Sequence, residues 1–274
     1  MEFNLAAYNK YFQKLRQNLA IALPSNQIPN ITLFVFDRLG STNTKLWSLI
    51  DSGIKCPTGA IAIQQTAGKG QWGHSWVSQP GGLYLSVGLD LDLEIANYPH
   101  LVMATAWGIA TVLRRYHLPV TIKWSNDLIL DRRKLGGIKI ETRNQKDRLT
   151  KAVVGVGINW RNSVPEPGIN LESYYQKARE NIKPIASLEE LTAITTYGIL
   201  CGYEYYLAVG IEKLRDRYLE ILDSLGKKIE FDGYSGEVIG VTTGGRLKVK
   251  MRSPGASSII KLAPGQISLG YEQI

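Results

Sequence analysis

Gln64-Gln65-Thr66-Ala67-Gly68-Lys69-Gly70-Gln71-Trp72-Gly73-His74-Ser75-Trp76 is the stretch on which the reading of this chain turns. Behind it, Ala60-Ile61-Ala62-Ile63 has the apolar, β-branched content of a buried strand, so the glycines begin where that strand ends. Gly68, Gly70 and Gly73 let the backbone come close to a ligand, and consecutive N–H groups together with Lys69 suit an anion such as a phosphate or carboxylate. The spacing also fits G-x-G-x-x-G. A dinucleotide fingerprint, however, opens a helix, whereas here Ser78-Gln79-Pro80-Gly81-Gly82 and a strand at 83–87 follow. A Walker A loop is excluded because no Ser or Thr follows a Gly-Lys pair. The alternative is an ordinary glycine hairpin.

Working outward, the N-terminal residues 2–22 place Leu5, Tyr8, Phe12, Leu15 and Leu19 on one helical face, closed by Pro24. Residues 31–37 read as a buried strand, and Gly40-Ser41-Thr42-Asn43-Thr44 opens a helix to about Ser52. Ser41 or Thr42 there is either an N-cap or, with Asn43, a set of small polar groups for a neutral polar ligand. Pro99 starts a helix whose apolar period ends at Leu118-Pro119. Strands follow at 120–124, 128–131, 134–141 and 152–158, with Ser125-Asn126-Asp127 and Asn159-Trp160 at strand ends. The pair Gly136-Gly137 marks a bulge or a close ligand contact. Lys123 stands inside an apolar strand, where a lysine either snorkels to water or meets an anion.

Residues 161–184 read as a long polar loop with one helical turn near 171–177. Ser187-Leu188-Glu189-Glu190 fits a capping box, and helical periodicity then runs to about Leu225, with Gly202 and Gly210 as weak points and Gly226 as the stop. Short strands at 228–231, 235–241, 246–251, 257–262 and 267–269, separated by glycine turns, give a small β-barrel.

Composition narrows the classes of function. The 274 residues suffice for one large and one small domain, read as 1–225 and 226–274. A net charge of +8 spread along the chain, without basic runs, favours nucleotides or acidic protein surfaces over nucleic acid. Cys56 and Cys201 are the only cysteines, and neither they nor His74, His100 and His117 have metal-ligand spacing, so no protein-held metal is expected. The N-terminus lacks a signal pattern and no apolar run is long enough to cross a bilayer, which together with the scarcity of cysteine points to the cytoplasm.

Taken in order, Gly40-Ser41-Thr42-Asn43, the block from Gln65 to Trp76, Lys123-Trp124-Ser125-Asn126-Asp127-Leu128, Lys134-Leu135-Gly136-Gly137-Ile138 and Gly155-Val156-Gly157-Ile158-Asn159 resemble the signature blocks of biotin–protein ligases, from about Leu33 to the C-terminus. The resemblance implies an α+β fold: a central mixed sheet of the biotin/lipoate ligase type with a small C-terminal SH3-like barrel. It implies that biotin and ATP, with Mg²⁺ carried by the nucleotide, give biotinyl-5′-AMP, and that biotin then passes to a lysine of the biotin carboxyl carrier protein of acetyl-CoA carboxylase. By the same resemblance, Lys123 and Lys69 are catalytic, and Ser41, Thr42, Asn43, Gln65, Lys69, Gly70, Gln71, Lys123 and Gly136 contact biotin. Gly68, Lys69, Gly70, Trp76, Asn126 and Asn159 contact the nucleotide. Lys69, Gln71, Trp72 and His74 stand where the family's loop has arginines, and Ser125 where it has proline. Some members begin with a DNA-binding winged helix; some thirty residues before the first strand leave no room for one, so neither DNA nor membrane is an expected partner. A monomer or homodimer is expected, and the alternatives are a lipoate-attaching ligase or a silent nucleotide- or biotin-binding module.

Overall fold

The computed structural model describes residues 3–18, 28–178, 185–253 and 256–271. The first half of the chain builds a seven-stranded sheet. Its strands are β1 (Thr32–Leu39), β2 (Thr58–Gln65), β3 (Leu83–Glu94), β4 (Thr121–Lys123), β5 (Asp127–Leu130), β6 (Arg133–Gln145) and β7 (Arg148–Ile158). They lie in the order β1-β2-β3-β7-β6-β5-β4. β1 and β2 are parallel, as expected for strands joined through a helix, α2 (Thr42–Asp51), which follows the N-terminal α1 (Leu5–Asn18) in the chain. The other neighbours are antiparallel, which makes the sheet mixed.

Burial along β3 explains the layering. Residues 83–89 are buried without alternation because both faces are covered there; beyond them Leu91 and Leu93 point inward while Asp90, Asp92 and Glu94 are exposed. One face carries α2, with Leu46 and Ile50 against Ala60 and Val153. The other packs against α3 (Tyr98–Arg115) and α5 (Leu188–Leu219), and α1 leans on α5 through buried Tyr8, Phe12 and Leu15. Leu5, expected on that buried face, is exposed, and Leu19 and Pro24 lie outside the described residues.

Between α3 and α5 the backbones nearly touch. A Cβ on Gly108 would lie 2.1 Å from the Gly198 carbonyl oxygen, and one on Gly202 would lie 2.0 Å from that of Ala104. Gly202 is therefore not a weak point; it keeps its helical place and makes the crossing possible. The break falls at Gly210, whose φ of 79° and ψ of 175° no helix accommodates. The helix begins as its sequence indicates, with Ser187 accepting from the Glu190 N–H. It ends at Leu219, short of Leu225, and turns then lead to Gly226. The short α4 (Leu171–Lys177) is capped by Asn170.

The C-terminal unit is an SH3-like antiparallel sheet of four strands, β8 (Lys228–Phe231), β9 (Tyr234–Val241), β10 (Leu247–Ser253) and β11 (Ala256–Leu262), ordered β11-β10-β9-β8. Its inner residues Val238, Leu247, Val249 and Leu262 join the same apolar cluster as the large sheet. The Trp124 indole donates to the Gly245 carbonyl at 3.0 Å across this junction. The fifth strand expected at 267–269 is absent: after a turn at 264–266 the chain continues without strand structure or a ladder partner. Alternation there reports which side faces inward, with Leu269 buried, and not strand pairing. The segment instead leads back to the large domain.

Candidate active site

Strand ends, the start of α2 and the returning C-terminal segment enclose a cavity of about 330 Å³. At its polar end, Ser41 precedes the first turn of α2, but its side chain makes no capping bond. The helix start is served from elsewhere: Thr42 donates through its N–H and its hydroxyl to Gln65 Oε1 at 2.8 and 3.1 Å, and Gln65 Nε2 donates to Ser78 at 2.9 Å. Ser86 Oγ lies 2.8 Å from Thr42 Oγ1 and 2.6 Å from Asn43 Oδ1. Gly155 leaves the room for this, since a Cβ on it would lie 2.3 Å from Asn43 Oδ1. Ser41, Thr42 and Asn43 are all buried, yet Asn43 Nδ2 has no partner among the described residues. An orphaned buried donor beside a cavity is a group whose missing partner a bound ligand would supply.

Asn43→Ala is accordingly expected to weaken binding of a ligand that accepts from this amide by about 1–3 kcal/mol. The unliganded melting temperature should stay close to that of the parent, because the variant also removes an unsatisfied group. Calorimetry with biotin and with ATP separately, the two ligands expected from the sequence, beside a melting curve, checks this; equal losses for the two would contradict it.

The glycine stretch is a hairpin folded over the cavity. Gly70 N–H donates to the His74 carbonyl and Trp76 N–H to that of Gly68, at 2.6 and 2.9 Å, with a 3₁₀ turn at Gln71–Gly73. Lys69 is exposed and donates to Thr44 Oγ1 at 3.2 Å. Gln71 Nε2 reaches the Ile138 carbonyl at 3.4 Å, and Lys139 Nζ holds the Gly70 carbonyl at 2.9 Å. Trp72 is 68% exposed at a φ of 54°, and its ring lies against Gly265 of the C-terminal segment.

The floor is a glycine surface. On β7 and β6, Gly155, Gly157 and Gly137 face the cavity, and the Trp76 indole lies over the last two; a Cβ on Gly157 would lie 2.4 Å from its Nε1. A half-buried indole beside a cavity offers a stacking surface for a flat ring. Asn126 lines the wall and donates to the Ile138 carbonyl at 2.7 Å.

Lys123 is 7% exposed at the end of β4, so it does not snorkel to water. Burial pushes its ammonium down to about 8, against the opposing pull of Asp127 and with the help of Lys134 and Lys227. Asp127 is the carboxylate on the cavity wall, and its two oxygens are taken by Lys134 at 2.8 Å and by the hydroxyl of Tyr271. Among the described residues no three acidic, histidine or cysteine side chains gather as a metal site. The donor set does not fit a protein-held Mg²⁺.

Three expected contacts are not on the cavity wall. Gly136 points away, packed against the Gly157 carbonyl and Ile158, because side chains alternate along β6 and it is Gly137 that faces in. A bulge does sit here: Leu135 of β6 is the extra residue opposite the step from Leu128 to Ile129 in β5. Asn159 is spent on structure: it accepts from Asn162 at 3.1 Å beneath the loop to α4. Gly68 is crowded by the Trp76 carbonyl and Ser78, and serves to close the hairpin. Gly137 belongs to the pair read as a bulge or close ligand contact, whereas Lys134, Lys139, Gly155, Gly157, Ser268 and Tyr271 line the cavity without being expected as contacts. The alternation of small residues in Gly155-Val156-Gly157 could have signalled two of them; nothing local to Tyr271 could.

Residues 35–159, which hold α2, the hairpin, Lys123 and the glycine floor, match the biotin/lipoate A/B protein ligase family. That match takes in the elements around the cavity and covers less than half of the chain. Similar proteins include the bifunctional ligase/repressor BirA of Escherichia coli, 35% identical over 135 residues, which are 48% of this chain and 42% of that one. The Bacillus subtilis protein of the same name is 30% identical over 129 residues, 46% of this chain and 40% of its own. Thus the chain spans about two fifths of the length of these relatives. The likeness in fold extends beyond residues 35–159: the Aquifex aeolicus biotin protein ligase, solved in complex with biotin and ATP, matches 84% of this chain and 99% of its own at a TM-score of 0.64 and 22% identity.

Proposed function

We propose that the protein is a biotin–protein ligase that forms biotinyl-5′-AMP from biotin and ATP and transfers the biotinyl group to a lysine of a biotin carboxyl carrier protein, that of acetyl-CoA carboxylase. The observation that carries this reading is one cavity joining a buried polar cluster with an orphaned amide, a buried lysine and an indole over a glycine floor. Asn43, with Ser41 and Thr42 beside it, suits a ureido head; Lys123 suits the carboxylate and the α-phosphate joined to it; Trp76 suits the adenine. Residues 1–225 act as the ligase unit, and 226–274 as a unit that closes the site from one side.

In the first step a biotin carboxylate oxygen attacks the α-phosphorus and the bond to the bridging oxygen breaks, releasing pyrophosphate. The protein's part is to align the two anions and neutralise growing charge, which Lys123, Lys69 and the N–H groups of the hairpin do. Mg²⁺ arrives with ATP as part of the substrate and screens its phosphates. In the second step the carrier amine attacks the acyl carbon, an amide forms, AMP leaves and the amine gives up a proton. A hairpin lying over the mixed anhydride keeps water away meanwhile.

Detecting AMP and pyrophosphate from ATP tests this directly. Formation with biotin, and not with lipoate, supports the reading; formation with lipoate alone replaces biotin as substrate, and turnover with neither leaves a binding module. Within this reading Gln71 is a neutral group where a charge would grip the adenylate. Gln71→Arg should exchange a neutral hydrogen bond for a charge-assisted one of about 1.5–3 kcal/mol and slow escape of biotinyl-AMP about tenfold or more. A chase with unlabelled biotin measures the release rate, and an unchanged rate would remove charge at position 71 as a means of retention.

A further inference from the structure

The C-terminal segment brings one aromatic ring to the reaction centre. Tyr271 lines the cavity, and the Lys123 ammonium sits 3.4 Å from the centre of its ring. The phenol oxygen is fixed by donating to Asp127 Oδ2, whose other oxygen holds Lys134. Leu269, buried two residues earlier, anchors the segment, and Ser268 joins the same wall. The groups around Lys123 are thus Asp127 at the start of β5, Lys134 on β6, the Asp223 and Lys227 pair in the turns after α5, and this ring.

We infer that Tyr271 is a positioning residue of the ligase reaction, its ring forming the cover that keeps water off Lys123 and holds the ammonium facing the cavity. This rests on the proposed role of Lys123. Two effects of the ring oppose each other: its face attracts the cation, while its bulk removes hydration. Burial, to which the ring contributes, is the leading cause of Lys123 being pushed down to about 8. The phenol itself stays neutral, because burial and Asp127 raise it far above its usual range. The cover therefore leaves Lys123 poorly solvated and charged below about pH 8, the state in which an arriving carboxylate or phosphate binds it most strongly. It also makes the small C-terminal sheet a contributor to the site in the large domain.

Three substitutions separate cover from charge. Tyr271→Ala lets water in, so the alkaline limb of biotin-dependent AMP release should move up by about one pH unit. AMP release should also exceed carrier labelling several-fold as the uncovered anhydride hydrolyses. Tyr271→Leu keeps the cover without the ring's attraction, so the limb should move down. Tyr271→Phe keeps the ring and loses the bond to Asp127, so the limb should stay with the parent. The same titrations can be read without turnover, from NMR of ¹³Cε-labelled lysine with Lys123→Met to assign the signal. If the parent protein releases no AMP with any acid, the ligase reading fails while the NMR series still tests the cover. Folded Ala and Leu variants that titrate like the parent would overturn the proposal, as would a Phe variant that follows Ala. Should the Ala variant fail to fold, the downward shift in the Leu variant carries the test.

Discussion

Lys123→Ala is expected to lower biotin-dependent AMP formation by about 10²–10³-fold, the loss seen when one preorganised charge or donor is removed from a dry reaction centre. The side chain is buried and faces a cavity in which Lys134 is already engaged by Asp127 and Lys139 by the Gly70 carbonyl. Biotin and ATP should still bind singly, since Asn43 and Trp76 are untouched. Folding should survive, because a buried ammonium costs solvation that the variant recovers. Single-turnover AMP release beside a melting curve checks this. A well-folded variant working at the parent rate would make Lys123 a structural residue and remove the main support for the mechanism.

The second large effect is on stability. Gly202→Ala adds a methyl group where the Ala104 carbonyl oxygen would be 2.0 Å away, and backbone on both sides of the contact cannot yield as a side chain would. Alanine favours a helix by about 1 kcal/mol over glycine, but overpacking at a helix crossing costs about 3 kcal/mol or more, so the clash decides the sign. The crossing of α3 and α5 forms one wall of the core behind the sheet, and its separation should lower the melting temperature by roughly 5–10 °C. Gly244→Ala is the control: nothing lies closer than 3.8 Å to its Cβ and its backbone is not left-handed. A Gly202→Ala protein as stable as this control would show that the helices can part freely.

The sequence by itself determined the elements and most of the polar residues of the site. Helix and strand periods are local, so the helix from Pro99, the strands around the glycine hairpin and the Gly210 break are written in short windows. The Ser41 to Asn43 cluster and Lys123 stand out for the same reason: polar residues at strand ends or inside apolar strands conflict with their surroundings. Tertiary structure alone decided the rest. Whether Gly136 or Gly137 faces the cavity depends on the register of β6 against β7 and on a bulge in β6 opposite β5, set by contacts between strands. Asn159 looks like a ligand contact until the loop to α4 folds over it, and residues 267–269 look like a strand until they find no partner. Tyr271 reaches Lys123 only because the small sheet docks through Trp124 and Gly245 and sends its last segment back across the large one. Patterns of neighbours fix what a segment is; contacts between distant segments fix which side of it does chemistry.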